Sequence, residues 1–330
     1  NVTFIDGTAL DPTSFGEYDG TLWKPKSDAA IQALTFGTNG FYLAFEDSSA
    51  IGDDTSGNAN DWTANNLVAT DVVLDSPVTG GNFATLNPLT LFTSNTSLAE
   101  GSLKANASNQ GSGSNWGSVF STFNVPTTGK YYVEGLAFIN AGSGNNSVLG
   151  VVDTAVFPST NRHSTILYSF NTGEGFDGVY ISLFNNNAQP ISDGVLGTSV
   201  GGLTGTTVLA MLAIDVDNGK VWAGYDGTWL NSGDPAAGTG EIATRTFSST
   251  DAIAVGTAWN GSNDQGMFAN FGQDSSFAGT ETPQGNTDDN GVGDFYYAPP
   301  SGFLALTTGN LPTPTITAPD DYFNTVLYSG

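Results

Sequence analysis

The chain has 330 residues, 7 Lys and Arg against 32 Asp and Glu, a formal net charge of −25 and no cysteine. That balance excludes nucleic acid and an anionic membrane surface as partners, and it leaves no disulfide framework or thiolate metal site. With 38% hydrophobic and 12% aromatic residues the chain is too apolar for disorder, while 43 Gly and few helix formers favour an all-β, loop-rich fold. Of the acids, 25 are Asp, a residue suited to turns and also a hard oxygen ligand for calcium.

In chain order, residues 1–26 are polar, contain Pro12 and Pro25, and read as an extended N-terminal connector. Its apolar residues Phe4, Ile5, Leu10, Phe15, Leu22 and Trp23 are too sparse for a core of their own. They are expected to bury against a sandwich or a neighbouring subunit. Residues 41–45 form a short β-type run, and 46–100 read as long loops with one or two strands. Strands are then predicted over 131–139, 148–152, 179–184, 208–214, 221–225 and 252–258, separated by turn dipeptides such as Asp193-Gly194, Asn218-Gly219 and Asp226-Gly227. The run 208–214 is apolar on both faces, as a central strand is, and Trp222 on the return strand reads as core. Pro312, Pro314 and Pro319 stiffen a Thr-rich linker, and residues 322–328 look like the first strand of a further unit. The expected organisation is therefore a connector with leading strands over 1–95, an antiparallel β-sandwich with long loops over 96–306, and a linker with a following strand over 307–330. The chain reads as a piece of a longer protein. It holds no apolar run long enough to span a membrane as a helix.

Residues 213–233, which turn at Asp217-Asn218-Gly219 and again at Asp226-Gly227, resemble the SPRY family. Residues 267–273, ending Asn270-Phe271-Gly272-Gln273, are similar to that family's late core strand, and 296–306 to its closing segment. The ordered blocks 36–45, 57–67, 75–77, 82–88 and 310–316 resemble structural and fibre proteins of marine bacteriophages. The first resemblance implies a concanavalin-like antiparallel sandwich that binds partners through loops at one edge. The second implies a virion surface protein: part of a tail fibre, a head fibre or a capsid decoration. Its partners would be other virion subunits, as a homo-oligomer or repeat array, and a host surface glycan. Neither resemblance implies an enzyme.

The motifs that carry chemistry elsewhere are thin here. Gly197-Thr198-Ser199-Val200-Gly201 matches the nucleophile-elbow pattern but is followed by glycines and no helix. His163 is the sole histidine and reads as a loop residue beside Arg162. Glu134, in an apolar strand, is the most notable single acid and is expected to face outward from an edge. Two acidic loops have oxygen ligands at calcium-like spacing: Asp53, Asp54, Asn58, Asn60 and Asp61, and Asp288, Asp289, Asn290 and Asp294. The plainer reading of both is a set of Asx turns, in which each carboxylate bonds its own backbone. Trp116 and Trp229 are the candidates for a sugar-stacking or adhesion platform, with core packing as the alternative. A carbohydrate-binding module and a polysaccharide depolymerase are the other functional readings. The depolymerase requires a carboxylate pair flanking a groove.

Overall fold

In a computed structural model, the described residues are 1–19, 22–74, 81–91, 96–107, 117–139, 146–156, 178–184, 187–258 and 265–312. Trp116, His163, residues 75–77 and residues 313–330 lie outside them, and with them most of the predicted linker and the strand after it. The chain divides into two compact units, one of Asn1–Asn82 with the residues from Pro312 onward, the other of Phe83–Leu311.

The smaller unit carries β1 (Val2–Phe4), β2 (Gly16–Asp19), β3 (Leu22–Pro25) and β4 (Phe41–Leu43), paired antiparallel as β1 with β4 and β2 with β3. A short helix, Asp28–Gln32, separates β3 from β4 in the chain. The connector's apolar residues form no core by themselves, but Ile5 and Phe15 pack on neither the sandwich nor another subunit: their partners are the residues just after the connector. Ile31, Phe36 and Tyr42 are buried together, and Ile5 and Phe15 pack against them. The cluster exists because residues beyond the predicted connector fold back onto it. Phe4 and Trp23 do not join it and stay 48% and 41% exposed.

The larger unit is an antiparallel sandwich. Its strands are β5 (Thr96–Ala99), β6 (Lys104–Ala107), β7 (Gly117–Asn124), β8 (Lys130–Phe138), β9 (Asn146–Asp153), β10 (Gly178–Phe184), β11 (Asn187–Ser192), β12 (Val195–Leu196) and β13 (Val200–Gly201). There follow β14 (Thr207–Asp215), β15 (Lys220–Tyr225), β16 (Thr228–Trp229), β17 (Ala243–Thr244), β18 (Asp251–Ala258), β19 (Gln265–Asn270) and β20 (Leu304–Ala305). One sheet has seven strands in the order β12-β11-β10-β9-β18-β7, with β13 also on β11. The other has nine in the order β16-β15-β14-β8-β19-β6-β5, with β17 on β15 and β20 parallel to β8. The unit begins at Phe83 rather than 96, because Ala84 N–H donates to Leu306 and Thr122 N–H to Thr85, tying 83–86 into the sandwich.

Period-two alternation explains the core. Tyr131, Val133 and Ala137 of β8 and Ala210, Leu212 and Ile214 of β14 face Leu149, Val151, Ile181 and Val255 of the opposite sheet. The other face of the nine-stranded sheet is buried as well. Tyr132, Leu136, Leu209, Met211, Trp222 and Phe268 lie under Phe277, Phe295 and Phe303, from the chain that follows β19. This double burial is why β14 is apolar on both faces. Trp222 is fully buried, as expected, and its indole N–H donates to Thr239 at 2.8 Å.

Among the described residues, the cations of the sandwich are engaged internally. Lys130 pairs with Asp215 at 3.0 Å and lies over the Phe303 ring, and Lys104 lies over Phe138 and Phe268. Lys220 pairs with Glu241 at 3.4 Å. Arg245 and Asp251, 3% and 0% exposed, form a buried ion pair.

Candidate functional site

Glu134 is not the outward-facing edge residue expected. It lies on β8, between β14 and β19, on the face covered by the closing segment, and its side chain is fully buried. Four donors reach it. Oε1 accepts from Tyr132 Oη at 3.0 Å and from Tyr297 N–H at 2.7 Å. Oε2 accepts from Tyr296 N–H at 2.9 Å and from Asn270 Nδ2 at 3.2 Å. Burial pushes its pKa up to about 7, against the pull of the backbone donors Tyr297 and Tyr296 and the side chains of Tyr132 and Asn270. Burial also raises the Tyr132 phenol well above its ordinary value, and the Glu134 charge adds to that shift.

The Asn-Phe-Gly-Gln sequence builds the turn that delivers these donors. Asn270 Oδ1 accepts from Gly272 N–H at 2.8 Å while its amide bridges Glu134 and the Asp294 carbonyl. Gln273 accepts from Phe271 N–H and donates to the Ala84 carbonyl, both at 2.8 Å. Gly272 has φ +120°, and a Cβ there would meet Phe83 at 2.8 Å and Phe295 at 3.0 Å, so only glycine fits. Glu134 is thus a structural tie. With no exposed surface it cannot protonate a substrate, and its neighbours are donors rather than a second carboxylate.

The second acidic loop pins the same segment. Asp288 is buried. Its Oδ1 accepts from Asn290 N–H and Val292 N–H, each at 2.9 Å, and Oδ2 from Ala305 N–H at 2.9 Å and Asn310 Nδ2 at 2.8 Å. Asp289 accepts from Gly302 N–H at 2.6 Å, Asn290 donates to Asn310, and Asp294 accepts from Ser275 Oγ and from Gly285 N–H. In the smaller unit, Asp54 accepts from the N–H groups of Tyr42, Ser56 and Asn60 at 2.8–2.9 Å. Burial opposes its charge, but these donors outweigh it and hold the carboxyl below its ordinary value. Asp61 accepts from Asp54 N–H, while Asn58 and Asn60 both donate to the Gly40 carbonyl. Asp53 is exposed. Among the described residues, no group of three or more His, Cys, Asp or Glu is placed to hold a metal ion.

Trp229 is half-buried, edge-on to Tyr132 with ring centroids 6.3 Å apart, so part of its surface goes into packing. A more exposed aromatic row lies in the smaller unit. Phe4 stacks on its cross-strand partner Phe41 at 5.6 Å, and Phe41 meets Trp62 edge-on at 5.3 Å. Phe4 is 48% and Trp62 57% exposed. Sequence reasoning missed this row. Its signal was the pairing of two short strands whose outward positions are aromatic.

No protein-family model matches this chain, and no curated protein matches its sequence. Solved structures do resemble it. The SPRY domain of human HERC1 matches at 12% identity and a TM-score of 0.37, over 56% of this chain and 96% of that one. The seed lectin of Lotus tetragonolobus matches at 10% identity and a TM-score of 0.39, over 57% and 97%. The alginate lyase AlgAT5 of polysaccharide lyase family 7 matches at 13% identity and a TM-score of 0.31, over 54% and 79%. At this level they assign no family, ligand or reaction to this chain. The protein is an all-β chain whose larger unit is an antiparallel sandwich of a seven-stranded and a nine-stranded sheet.

Proposed function

We propose that this chain is a non-enzymatic adhesion and structural module of a bacteriophage virion surface, in a tail fibre, head fibre or capsid decoration. The observation that carries the reading is the use made of its buried acids. Glu134, Asp54 and Asp288 are saturated by internal donors and fasten loops to strands, which yields a stiff scaffold and no reacting centre at those positions. The ordered sequence blocks that resemble marine phage structural proteins support the virion assignment. An acidic exterior keeps such a module soluble and discourages casual association. Mass spectrometry of purified particles, combined with imaging that locates the protein, tests the reading. Absence from the particles sinks it.

A second reading, carbohydrate binding, is favoured by the row Phe4, Phe41 and Trp62, since sugar faces stack on exposed aromatic rings. A host surface glycan is then the ligand. A glycan array run with calcium and with chelator tests it, alongside Trp62→Ala. Binding unchanged in Trp62→Ala would remove the row from the reading, and an array without signal would remove the reading itself. Calcium at the loops of Asp53–Asp61 or Asp288–Asp294 would have to displace hydrogen bonds already made there, so the calcium and chelator arms of the array are expected to agree.

A further inference from the structure

The chain that follows β19 covers the outer face of the nine-stranded sheet over β14, β8 and β19, where Phe277 meets Phe268 at 6.3 Å. On β6 and β5 the same face is more open. Lys104 and Asn106 of β6 are half-buried there, and Ser97 of β5 is exposed. Alternation places all three on that face, because Ala105 and Leu98, their chain neighbours, pack on the core between the sheets.

Lys104 differs from the other cations of the sandwich. Lys130, Lys220 and Arg245 each meet a carboxylate, whereas among the described residues no carboxylate lies within ion-pair distance of Lys104. Its ammonium sits 5.2 Å from the centroid of Phe138 and 5.0 Å from that of Phe268. The rings hold the charge in place but leave its hydrogen-bond donors to be met from outside. In a chain of 32 acids and 7 Lys and Arg, a cation kept from every acid is a charge held for something else.

Asn106, two residues on, is a second unmet group. Its Oδ1 is shut off from water and has no hydrogen-bond partner among the described residues. Nothing in the fold fixes the amide, so it is free to turn donor or acceptor toward a group lying over it. Its cross-strand neighbours are Ser97 and Gly266, so no large side chain rises beside it. The half-buried Phe138 ring, under the Lys104 ammonium, walls this open floor.

An ammonium, an unclaimed amide and a hydroxyl beside an aromatic ring match a sugar that carries a carboxylate. The carboxylate meets Lys104, ring hydroxyls meet Asn106 and Ser97, and the apolar sugar face lies on Phe138. Charge narrows the ligand further. Glu100, in the turn between β5 and β6, and the net charge of −25 both repel a polyanion. We propose that Lys104, Asn106, Ser97 and Phe138 form a binding site for a single uronate unit within an otherwise neutral glycan. This site lies on the sandwich and is separate from the row Phe4, Phe41 and Trp62, so either can fail without the other.

Saturation-transfer NMR titrations with methyl glucuronoside, methyl glucoside and acetate test it. The glucuronoside should bind about tenfold or more tighter than either of the others. Lys104→Met keeps the stem over the rings and removes the charge, and it should erase that preference. Ser97→Glu, at an exposed position, should weaken the glucuronoside and spare the glucoside, with the melting temperature unmoved. Trp62→Ala should leave glucuronoside binding as it is. Equal binding of glucuronoside and glucoside, or a preference that survives Lys104→Met, overturns the proposal. Acetate binding as tightly as the glucuronoside overturns the sugar, and a loss in Trp62→Ala moves the ligand to the other site and overturns this one. If Lys104→Met fails to fold, Ser97→Glu still decides, since a preference it leaves intact also overturns the site.

Discussion

Tyr297 and Glu134 stand 163 residues apart, yet the backbone N–H of one donates to the carboxylate of the other at 2.7 Å inside a fully buried site. The bond ties the closing segment to a central strand. Each carboxylate oxygen faces a backbone N–H, so Glu134→Gln must set its amide NH2 against one of them whichever way it turns. At pH 5 this should cost about 1–3 kcal/mol, the penalty of leaving a buried donor unsatisfied. Glu134→Ala adds a cavity and should cost more. Urea unfolding curves check the order, and a Gln variant as stable as the parent would show that the four donors do not act on the carboxylate.

The same residue sets a pH dependence. Its folded pKa, pushed up to about 7 by burial, lies above the ordinary 4.5, so the folded state binds the proton more tightly than the unfolded one. The stabilising contribution is complete below pH 4.5 and is lost as pH rises through 7. The parent should therefore lose roughly 3 kcal/mol between those limits, and Glu134→Gln should not. The gap between the two proteins should narrow from pH 5 to pH 8. Asp54 and Asp215, held low by their hydrogen bonds, act in a separate acid window and lose stability as pH falls below 4. A parent whose stability is flat from pH 5 to pH 8 would contradict the assignment to Glu134.

Much of the sandwich was legible before any coordinates. Residues 208–229 announce themselves by an apolar run, two turn dipeptides and a return strand, and the structure has β14, β15 and β16 there. Local chemistry fixes such hairpins, since the turn and the alternation lie within one stretch of chain. Glu134 was not legible. A single acid in Tyr-Tyr-Val-Glu-Gly-Leu has the pattern of a half-exposed strand, and nothing nearby reveals that donors arrive from Asn270, Tyr296 and Tyr297. The small core around Ile31, Phe36 and Tyr42 was hidden for a similar reason, its members being spread through polar sequence with no regular period. The acidic loops were legible as loops, but whether a carboxylate meets an N–H or a cation depends on where the backbone points.

At Asp288 the backbone points inward. With both oxygens already accepting two donors each, Asp288→Asn should cost about 1–3 kcal/mol, because the amide NH2 must face two donors on one side. Thermal melts of the parent in calcium and in chelator should superimpose. A rise in melting temperature with calcium that disappears in Asp288→Asn would show that the loop rearranges around the ion.

Arg245 and Asp251 give the sharpest test of the interior. The guanidinium Nη2 of Arg245 bonds Asp251 Oδ1, Nη1 donates to the Val151 carbonyl at 3.3 Å, and Asp251 Oδ2 accepts from Ser248 N–H. Removing one partner leaves the other charge buried, so Arg245→Ala and Asp251→Ala should each cost about 3–5 kcal/mol. Replacing both removes the stranded charge, leaving mainly lost packing and the unmet Ser248 N–H. The double variant should therefore fall short of the summed single losses by about 2 kcal/mol or more. Because the pair is screened from solvent, added salt should leave this coupling energy unchanged, whereas the exposed part of any Lys220–Glu241 coupling should shrink. Additive single and double losses in urea unfolding would mean that the two charges do not depend on each other for their burial.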